Sequence, residues 1–477
     1  MMSERTLLVH DPLRRMALQA KEEPQVHVAT ELSSLLRLAG PMVLTLLLEY
    51  LPGVTNVILA GQMPGSSVSA KYVAAAAMSS TYLNVTSIAI VLGFATAVDT
   101  LGSKGPFKRD ELLPSACMAF TAMCVPICLL NVHAASILRF LGQDPSLALL
   151  AGDIIQWSTL GLPFLFLYEV LKKQLHLQGI VGPPILVALT SNVLHIALGY
   201  ALTQFTSLGV AGVGLARAVA YLALPGLLLW HMQRRGLTSS WALPTRASVC
   251  TFARYGLPGT ATMQLEWGAL ALLVLVSGRL PDPITAVGVN SIFVTLLSLL
   301  YVLFYGLSLA IAARLRFFLG ANRPRHASAT VQLGYAVCIV GATVTCSSIF
   351  LGRSLLSTAF LAYDPAILTR ATVAVLFVIP LHFLDALNAV SQGVLRGIDR
   401  PGSATFVNVV AYYVVGLLLA SYCAFFLELD LEGLWIGYAL GLVFAGGIYW
   451  VLLSHISWKR MAFEAFTRAQ VPHLPNV

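Results

Sequence analysis

Two acidic residues lie in the middle of long apolar runs, where a charge is costly. Glu266 follows the basic Arg254 by about three helical turns, and Asp385 precedes the basic Arg396 by about three turns. In helices these separations correspond to about 18 Å and about 16 Å. Each acid therefore falls near the middle of a bilayer, where a charged side chain costs about 2.5–3.5 kcal/mol on insertion scales. Acids at such a depth are candidates for function.

Buried carboxyl groups suit the exchange of protons for cations. Removal from water favours the protonated form of a carboxyl group, and a second carboxyl nearby favours it further. Such a group could take up and release protons in the physiological range, and an organic cation could bind only after the proton had left. The sequence therefore predicts that Glu266 and Asp385 couple proton entry to cation export. Packing of each carboxyl against a neighbouring helix is the alternative.

Further polar side chains in the apolar runs are candidates for the same site. In the first half of the chain, Glu49 is separated from Arg37 by the same interval that separates Glu266 from Arg254. His382 lies three residues before Asp385, on the same helical face, where it could relay protons. A hydrogen bond within the bundle is the alternative for Glu49 and the favoured interpretation for His382. Other side chains could line a cleft and stack on cations, or could pack between helices. They are Asn290, Tyr301, Tyr305, Trp267 and Tyr412.

Two other acids are predicted to lie near the membrane surface. Asp99 lies five residues before Lys104, and Glu169 lies three residues before Lys172. Interfacial ion pairs or helix caps are therefore the preferred interpretation for both acids.

Four prolines recur within or near the apolar runs. Proline removes one backbone hydrogen bond and can kink a helix. Because the prolines occur in pairs along the chain, we expect paired bends that could act as hinges, with static kinks as the favoured alternative. The four are Pro41, Pro163, Pro258 and Pro380.

The composition shows which elements must position these residues. Hydrophobic residues make up 57% of the 477 residues and charged residues only 10%, and the mean hydropathy is +0.80. A water-facing surface could not be covered by so few charges. The sequence therefore predicts an all-α integral membrane protein with twelve transmembrane helices. The predicted spans are 33–60, 70–99, 112–132, 147–170, 182–204, 209–230, 251–277, 284–313, 328–350, 367–395, 403–426 and 433–456.

The two halves of the chain resemble each other at one constant shift, which predicts an internal repeat. Pro41 matches Pro258, and Glu49 matches Glu266. Six helices separate the copies, so both halves enter the membrane in the same direction. The predicted order is an N-terminal tail (1–30), an N-lobe (31–230), a linker (231–250), a C-lobe (251–456) and a C-terminal tail (457–477).

Basic residues predict the orientation of this bundle. With the N-terminus in the cytoplasm, about 23 of the 29 Lys and Arg residues fall in cytoplasmic segments. The tails and the linker are therefore predicted to be cytoplasmic, and the net charge of +8 needs no nucleic acid. Residues 1–30 hold no long apolar run and are not predicted to be a signal peptide. The predicted orientation fits a plasma membrane and a vacuolar or endosomal membrane equally well.

Several kinds of chemistry are not predicted. Short connections leave little room for a catalytic domain, and no nucleophile is paired with a base at helical spacing, so no enzyme is expected. The seven cysteines show no metal or disulfide spacing, and we expect no cofactor. The predicted partners are a small organic cation or metabolite, a proton or sodium ion, and the bilayer, with a monomeric protein.

Several segments resemble one transporter family. They include Leu319-Gly320-Ala321, Asp385 followed by Gln392-Gly393-Val394-Leu395-Arg396-Gly397, and Ala97-Val98-Asp99-Thr100-Leu101. These look like the eukaryotic branch of the multidrug and toxic compound extrusion (MATE) transporters over about residues 31–460. The resemblance implies twelve helices in two six-helix lobes. It also implies that acids corresponding to Glu266 and Asp385, with a polar residue at Asn290, form a cation pathway in the C-lobe.

The resemblance has two departures from the family pattern. Asn56 stands where prokaryotic members carry an aspartate, which weakens coupling through the N-lobe. The segment after Ser103 is short and begins Lys104-Gly105-Pro106.

The sequence thus favours an antiporter that exports organic cations or small metabolites against protons or sodium. A flippase for lipid-linked headgroups would need a cationic cleft, and no Lys or Arg is predicted at a suitable depth for one. A gated channel would need a continuous polar stripe.

Overall fold

The computed structural model describes residues 23–63, 69–104, 109–178, 180–237, 243–360 and 365–470. Within these ranges the elements are helices. The first half contains α1 (Val28–Gly61), α2 (Ser69–Leu83 and Ala89–Lys104, joined by the π-helical turn Asn84–Ile88), α3 (Arg109–Val132), α4 (Ala134–Phe140), α5 (Pro145–Thr159), α6 (Leu162–Leu177), α7 (Gly182–Phe205) and α8 (Val210–Arg234). The second half contains α9 (Arg246–Ser277), α10 (Pro283–Gly320), α11 (Pro324–Phe360), α12 (Pro365–Gly397), α13 (Pro401–Asn408 and Leu418–Phe425, joined by the π-helical segment Val409–Leu417), α14 (Asp430–Ser454) and α15 (Trp458–Gln470).

The helices confirm the predicted architecture of twelve spans. Eleven helices in the described ranges are long and apolar enough to cross a membrane. The helices α5 and α6, bent by 52° at Leu160 and Gly161, form the twelfth span. The sequence predicted a single helix over 147–170, whereas the structure has two helices joined at this bend. The predicted C-terminal tail also contains a helix, α15, which packs against α10 and α11.

Asp-Pro pairs fix where helices begin. The side chain of Asp144 accepts hydrogen bonds from the backbone nitrogens of Ser146 and Leu147, each at 3.0 Å. Pro145 then occupies the first turn, where a missing N–H costs nothing. The hydrogen bond from the Ser146 hydroxyl, with those from the backbone, lowers the pKa of Asp144. Asp282 caps α10 in the same way, by accepting from the backbone nitrogen of Thr285.

The helix α1 is shared between the two lobes. Its first turn contacts the C-lobe, where the Glu31 carboxylate accepts two hydrogen bonds from Arg314 of α10, at 2.6 and 2.5 Å. Its second half contacts the N-lobe, where the Asn192 amide of α7 donates to the Leu48 carbonyl oxygen at 2.8 Å. Pro41 lies between these two regions. The helix α1 therefore crosses from one lobe to the other near Pro41.

The helix α9 repeats this crossing in the second half of the chain. Near its start, the Ser115 hydroxyl of α3 donates to the Ser248 hydroxyl at 2.8 Å. Gly256 lies directly against the Phe94 ring of α2, which leaves no room for a Cβ atom. Farther along, Leu273 accepts a hydrogen bond from Asn290 of the C-lobe. Contact with the N-lobe continues beyond Pro258 as far as Gln264, whose amide donates to the Val85 carbonyl oxygen of α2 at 2.7 Å. The helix α9 therefore connects the two lobes, as α1 does.

A glycine allows α13 and α14 to pack closely in the C-lobe. A Cβ atom on Gly437 would collide with the backbone of Ala420. Gly447, on the same helix, has no described atom within 4 Å of that position. We expect Gly437→Val to destabilise the protein by about 1–3 kcal/mol, because α13 and α14 must move apart. Melting of the purified protein in detergent measures this, with Gly447→Val as the matched control. Equal melting midpoints for the two variants would contradict it.

Candidate functional site

A cleft of about 1080 Å³ lies between the lobes. We call the end of the bundle where α1 begins the N-side. The cleft lining reaches the N-side at Arg37, Lys173 and Arg316, and in the other direction it extends as far as Arg217 and Tyr438. It includes residues of α1, α2, α6, α7 and α8 from the N-lobe and of α9, α10, α12, α13 and α14 from the C-lobe.

At the end opposite the N-side, the lobes are in contact. The Gln143 amide donates to the Leu275 carbonyl oxygen of α9 at 3.0 Å. One apolar core joins residues of α2, such as Val73, to residues of α10, such as Val287 and Ile292. The cleft therefore runs from the middle of the bundle toward the N-side.

Asp385 of α12 lies at the C-lobe wall of the cleft. Only 5% of its surface is exposed, and it lines the cleft together with Tyr412 and Tyr438. The two tyrosine rings stack with their centroids 5.8 Å apart, and both hydroxyls lie within electrostatic range of the carboxylate. Among the ion pairs of the described residues, none includes Asp385. A carboxylate beside aromatic rings is suited to bind a proton or an organic cation.

A second aromatic pair lines the C-lobe wall nearer the N-side. The rings of Tyr301 and Tyr305 stack with centroids 5.7 Å apart. The guanidinium of Arg396 lies 4.9 Å from the Tyr305 centroid and donates to the Ser308 hydroxyl at 3.3 Å. Both tyrosines therefore line the cleft, where the sequence predicted aromatic contacts for a cation. The Arg396 guanidinium of the protein itself already lies over Tyr305. Trp267 lines the cleft as well.

The N-lobe wall contains an ion-pair triad. Lys172 of α6 donates to the Glu169 carboxylate at 2.8 Å and also to Glu49 of α1. The side chains of Lys172 and Glu169 are 4% and 3% exposed. Lys172 also lies 5.4 Å from the Tyr168 ring centroid. The ion pair that the sequence predicted between Glu169 and Lys172 is present, and both side chains are buried within the protein. Glu49 lines the cleft, but it shares the single positive charge of Lys172 with Glu169.

Two of the predicted cleft residues do not line the cleft. Asn290 is fully buried in α10, where its amide donates to the Leu273 carbonyl at 3.3 Å and accepts from Trp435 at 3.0 Å. His382 is also fully buried, with Nε2 2.8 Å from the Thr345 hydroxyl. Helical spacing placed His382 on the same face as Asp385 but could not show which neighbour would cover it. Both residues make structural contacts in this conformation.

The position of Asn290 leads to a prediction that separates stability from transport. Asn290→Ala leaves the buried Trp435 nitrogen without an acceptor, which costs about 1–3 kcal/mol. We therefore expect a lower melting midpoint in detergent, with transport per folded molecule nearly unchanged. Asn388→Ala, which removes another buried amide-to-carbonyl bond (to Leu442 at 3.1 Å), is the control. Loss of proton coupling in folded Asn290→Ala protein would instead support the role that the sequence suggested.

Glu266 and the four prolines are the remaining predicted residues. The side chain of Glu266 lies outside the described part of the structure, so its role stays a prediction. Pro41, Pro258 and Pro380 lie inside α1, α9 and α12. Pro163 is different, because it occupies the first turn of α6, directly after the 52° bend.

The cleft also has basic residues, which the sequence did not lead us to expect. Sequence reasoning counted Lys172 and Arg396 among the residues on the cytoplasmic side and placed Arg217 at the start of a helix. All three line the cleft. The charged lining residues in the described ranges are Arg37, Lys172, Lys173, Arg217, Arg316 and Arg396, with Glu49, Glu169 and Asp385. No group of three or more His, Cys, Asp or Glu residues suited to a metal ion occurs in those ranges.

Two similar six-helix lobes around a cleft define a multi-pass membrane transporter. A family model described as MatE matches residues 41–201 and again 258–421. The chain belongs to the MatE family, that of the multidrug and toxin extrusion transporters. The two matches begin at Pro41 and Pro258, the two prolines that the repeat in the sequence paired.

Similar proteins cover nearly the whole chain. Protein DETOXIFICATION 1 of Arabidopsis thaliana is 30% identical, over 92% of this chain and 93% of that protein. Multidrug and toxin extrusion protein 1 of Danio rerio is 25% identical, over 94% of this chain and 76% of that protein. The crystal structure of the eukaryotic MATE transporter AtDTX14 superposes with a TM-score of 0.78 at 25% identity, over 93% of this chain and 100% of that one. The eukaryotic MATE resemblance is confirmed.

Proposed function

We propose that the protein is an antiporter that exports organic cations or small metabolites in exchange for protons. The observation that carries the proposal is the Asp385 carboxylate, which lines the cleft near a stacked pair of tyrosines and belongs to no ion pair of the described residues. Such a carboxylate can hold a proton or a cation but not both. Glu266, which the internal repeat pairs with Glu49, is proposed as its partner in the C-lobe.

Alternating access would connect this site to each side of the membrane in turn. We propose that the N-side is cytoplasmic, as the basic residues predict, so that the described conformation loads cargo from the cytoplasm. A proton bound at Asp385 from the far side would release the cargo there. The prolines inside the helices that connect the lobes, Pro41 in α1 and Pro258 in α9, are proposed hinges, with Pro163 and Pro380 as further candidates. Each unit of pH gradient supplies about 1.4 kcal/mol for this exchange.

The experiment uses purified protein in liposomes. Accumulation of ethidium, a fluorescent organic cation, is followed under a pH gradient alone and under a sodium gradient alone. We expect accumulation in an acidic lumen and none with sodium, and the proton ionophore nigericin should abolish it. Accumulation with sodium alone would overturn proton coupling, and no accumulation with either gradient would overturn antiport of organic cations.

Location and assembly need separate measurements. We propose that both termini are cytoplasmic and that the protein works as a monomer in the plasma membrane or a vacuolar or endosomal membrane. A fluorescent protein fused to either terminus should stay inaccessible to protease added outside intact cells. Fluorescence microscopy of the fusion protein identifies the membrane in which the protein lies. Light scattering of the purified protein gives the number of chains in the assembly.

A further inference from the structure

The cleft holds a buried guanidinium that lacks an acidic partner among the described residues. Arg217 of α8 lines the cleft although only 2% of its surface is exposed. Its Nε donates to the Tyr221 hydroxyl at 2.9 Å, and the guanidinium lies 5.3 Å from that ring. Its Nη1 is buried and has no hydrogen-bond partner in the described part of the chain. No ion pair of the described residues includes Arg217.

Such an arrangement is costly without a ligand. A guanidinium does not lose its proton in proteins, so it cannot become neutral on burial. A buried charge is normally paired. The described groups near Arg217 are neutral or basic, since His195 and the Tyr50 hydroxyl lie within electrostatic range of it. His195 is itself fully buried, and neither of its ring nitrogens has a partner within the described ranges.

Lys172 is a buried cation in the same cleft whose charge is paired with acids of the protein. Its ammonium group binds the carboxylates of Glu49 and Glu169, and both come from the protein. Arg217 has no equivalent acid among the described residues. The difference suggests that the anion for Arg217 arrives with the cargo.

We propose that Arg217 forms an N-lobe subsite for a carboxylate group of the transported molecule. The planar fork of a guanidinium matches a carboxylate with two parallel hydrogen bonds, and Nη1 is available for one of them. Asp385 lines the opposite wall of the same cleft. The preferred cargo therefore has a cationic group for Asp385 and a carboxylate for Arg217. This inference rests on the proposed function, because it assumes that cargo occupies the cleft.

Tyr50 places the subsite at a contact between the lobes. Its hydroxyl lies near Ser298 of α10. Tyr50 belongs to α1, and both residues line the cleft. A carboxylate bound to Arg217 would therefore lie near a contact between the two walls, where its binding could affect both lobes.

The test compares two probes that differ only in the carboxylate. Rhodamine B has a cationic ring system and a free carboxylate, and its methyl ester keeps the ring system but not the charge of the carboxylate. Fluorescence anisotropy measures binding of each probe to the purified full-length protein. We expect Arg217→Met to weaken binding of rhodamine B by about tenfold or more and to change binding of the ester by less than about twofold. Arg234→Met, on the same helix but exposed, is the control and should change neither.

Several outcomes would overturn the subsite. Unchanged binding of rhodamine B to Arg217→Met, or equal weakening for both probes, would show that Arg217 has only a structural role. If Arg217→Met does not fold, benzoate serves as the probe with the unaltered protein. It should displace rhodamine B but leave the ester bound, and failure to displace rhodamine B overturns the proposal.

The proposed function has a separate readout. Uptake of the methyl ester into liposomes under a pH gradient does not involve the subsite, so it should persist in Arg217→Met. If the unaltered protein does not take up the methyl ester under a pH gradient, proton-driven export is overturned. Comparing the binding of rhodamine B and its ester would still report on the role of Arg217.

Discussion

Asp385→Asn is expected to reduce proton-driven uptake of ethidium to the level of empty liposomes. The amide has the same shape as the carboxyl group but carries neither a negative charge nor an exchangeable acidic proton. Loss of a charge-assisted contact should weaken binding of the cation by about tenfold to a hundredfold. The protein should remain folded, because the carboxylate belongs to no ion pair of the described residues.

The pH dependence of binding gives an independent measurement for the same variant. In the unaltered protein, protonation of Asp385 competes with the cation, so affinity for ethidium should fall as the pH falls. In Asp385→Asn the residual affinity should be weak and should change much less with pH, because Glu266 is then the only acid of the proposed pair that still titrates. Glu432→Gln, which changes an exposed acid in the first turn of α14, is the control and should keep both transport and pH dependence. Normal proton-driven uptake by Asp385→Asn would refute the coupling role.

Lys172→Met is expected to destabilise the N-lobe strongly. Removal of the ammonium group leaves the buried Glu169 and the partly buried Glu49 as neighbouring carboxylates that have lost their shared ion-pair partner. Breaking a buried ion pair in this way costs about 3–5 kcal/mol. For a lobe of this size, the melting midpoint in detergent should fall on the order of 10 °C.

A rescue variant shows whether charge is the cause. Adding Glu49→Gln and Glu169→Gln to Lys172→Met removes the two unpaired charges and should restore most of the lost stability. Arg460→Met is the control, because it breaks a surface pair with Glu464 in which Arg460 is 75% exposed. Such a pair contributes about 0–1 kcal/mol. A triple variant as unstable as Lys172→Met would mean that packing of the lysine stem, not its charge, holds the lobe together.

Spacing along one helix could be read from the sequence, but which side chains reach the cleft could not. Asp385 and Arg396 lie on one continuous helix and both line the cleft, although Arg396 was predicted on the cytoplasmic side. Glu169 and Lys172 form the ion pair that their spacing predicted. Glu49 joins them from α1, and because it is distant in sequence no spacing indicated this contact.

The sequence alone determined the number of spans, the repeat and the family. These features depend on the length of apolar runs and on residues spaced along one chain, and lipid leaves helices as the way to satisfy the backbone of such runs. Only the tertiary structure decided which polar side chains meet. It paired Lys172 with two acids, buried Asn290 and His382 away from the cleft, and left Arg217 at the wall without an acid among the described residues. Those outcomes depend on helix rotation and on crossings between lobes, which contacts distant in sequence determine.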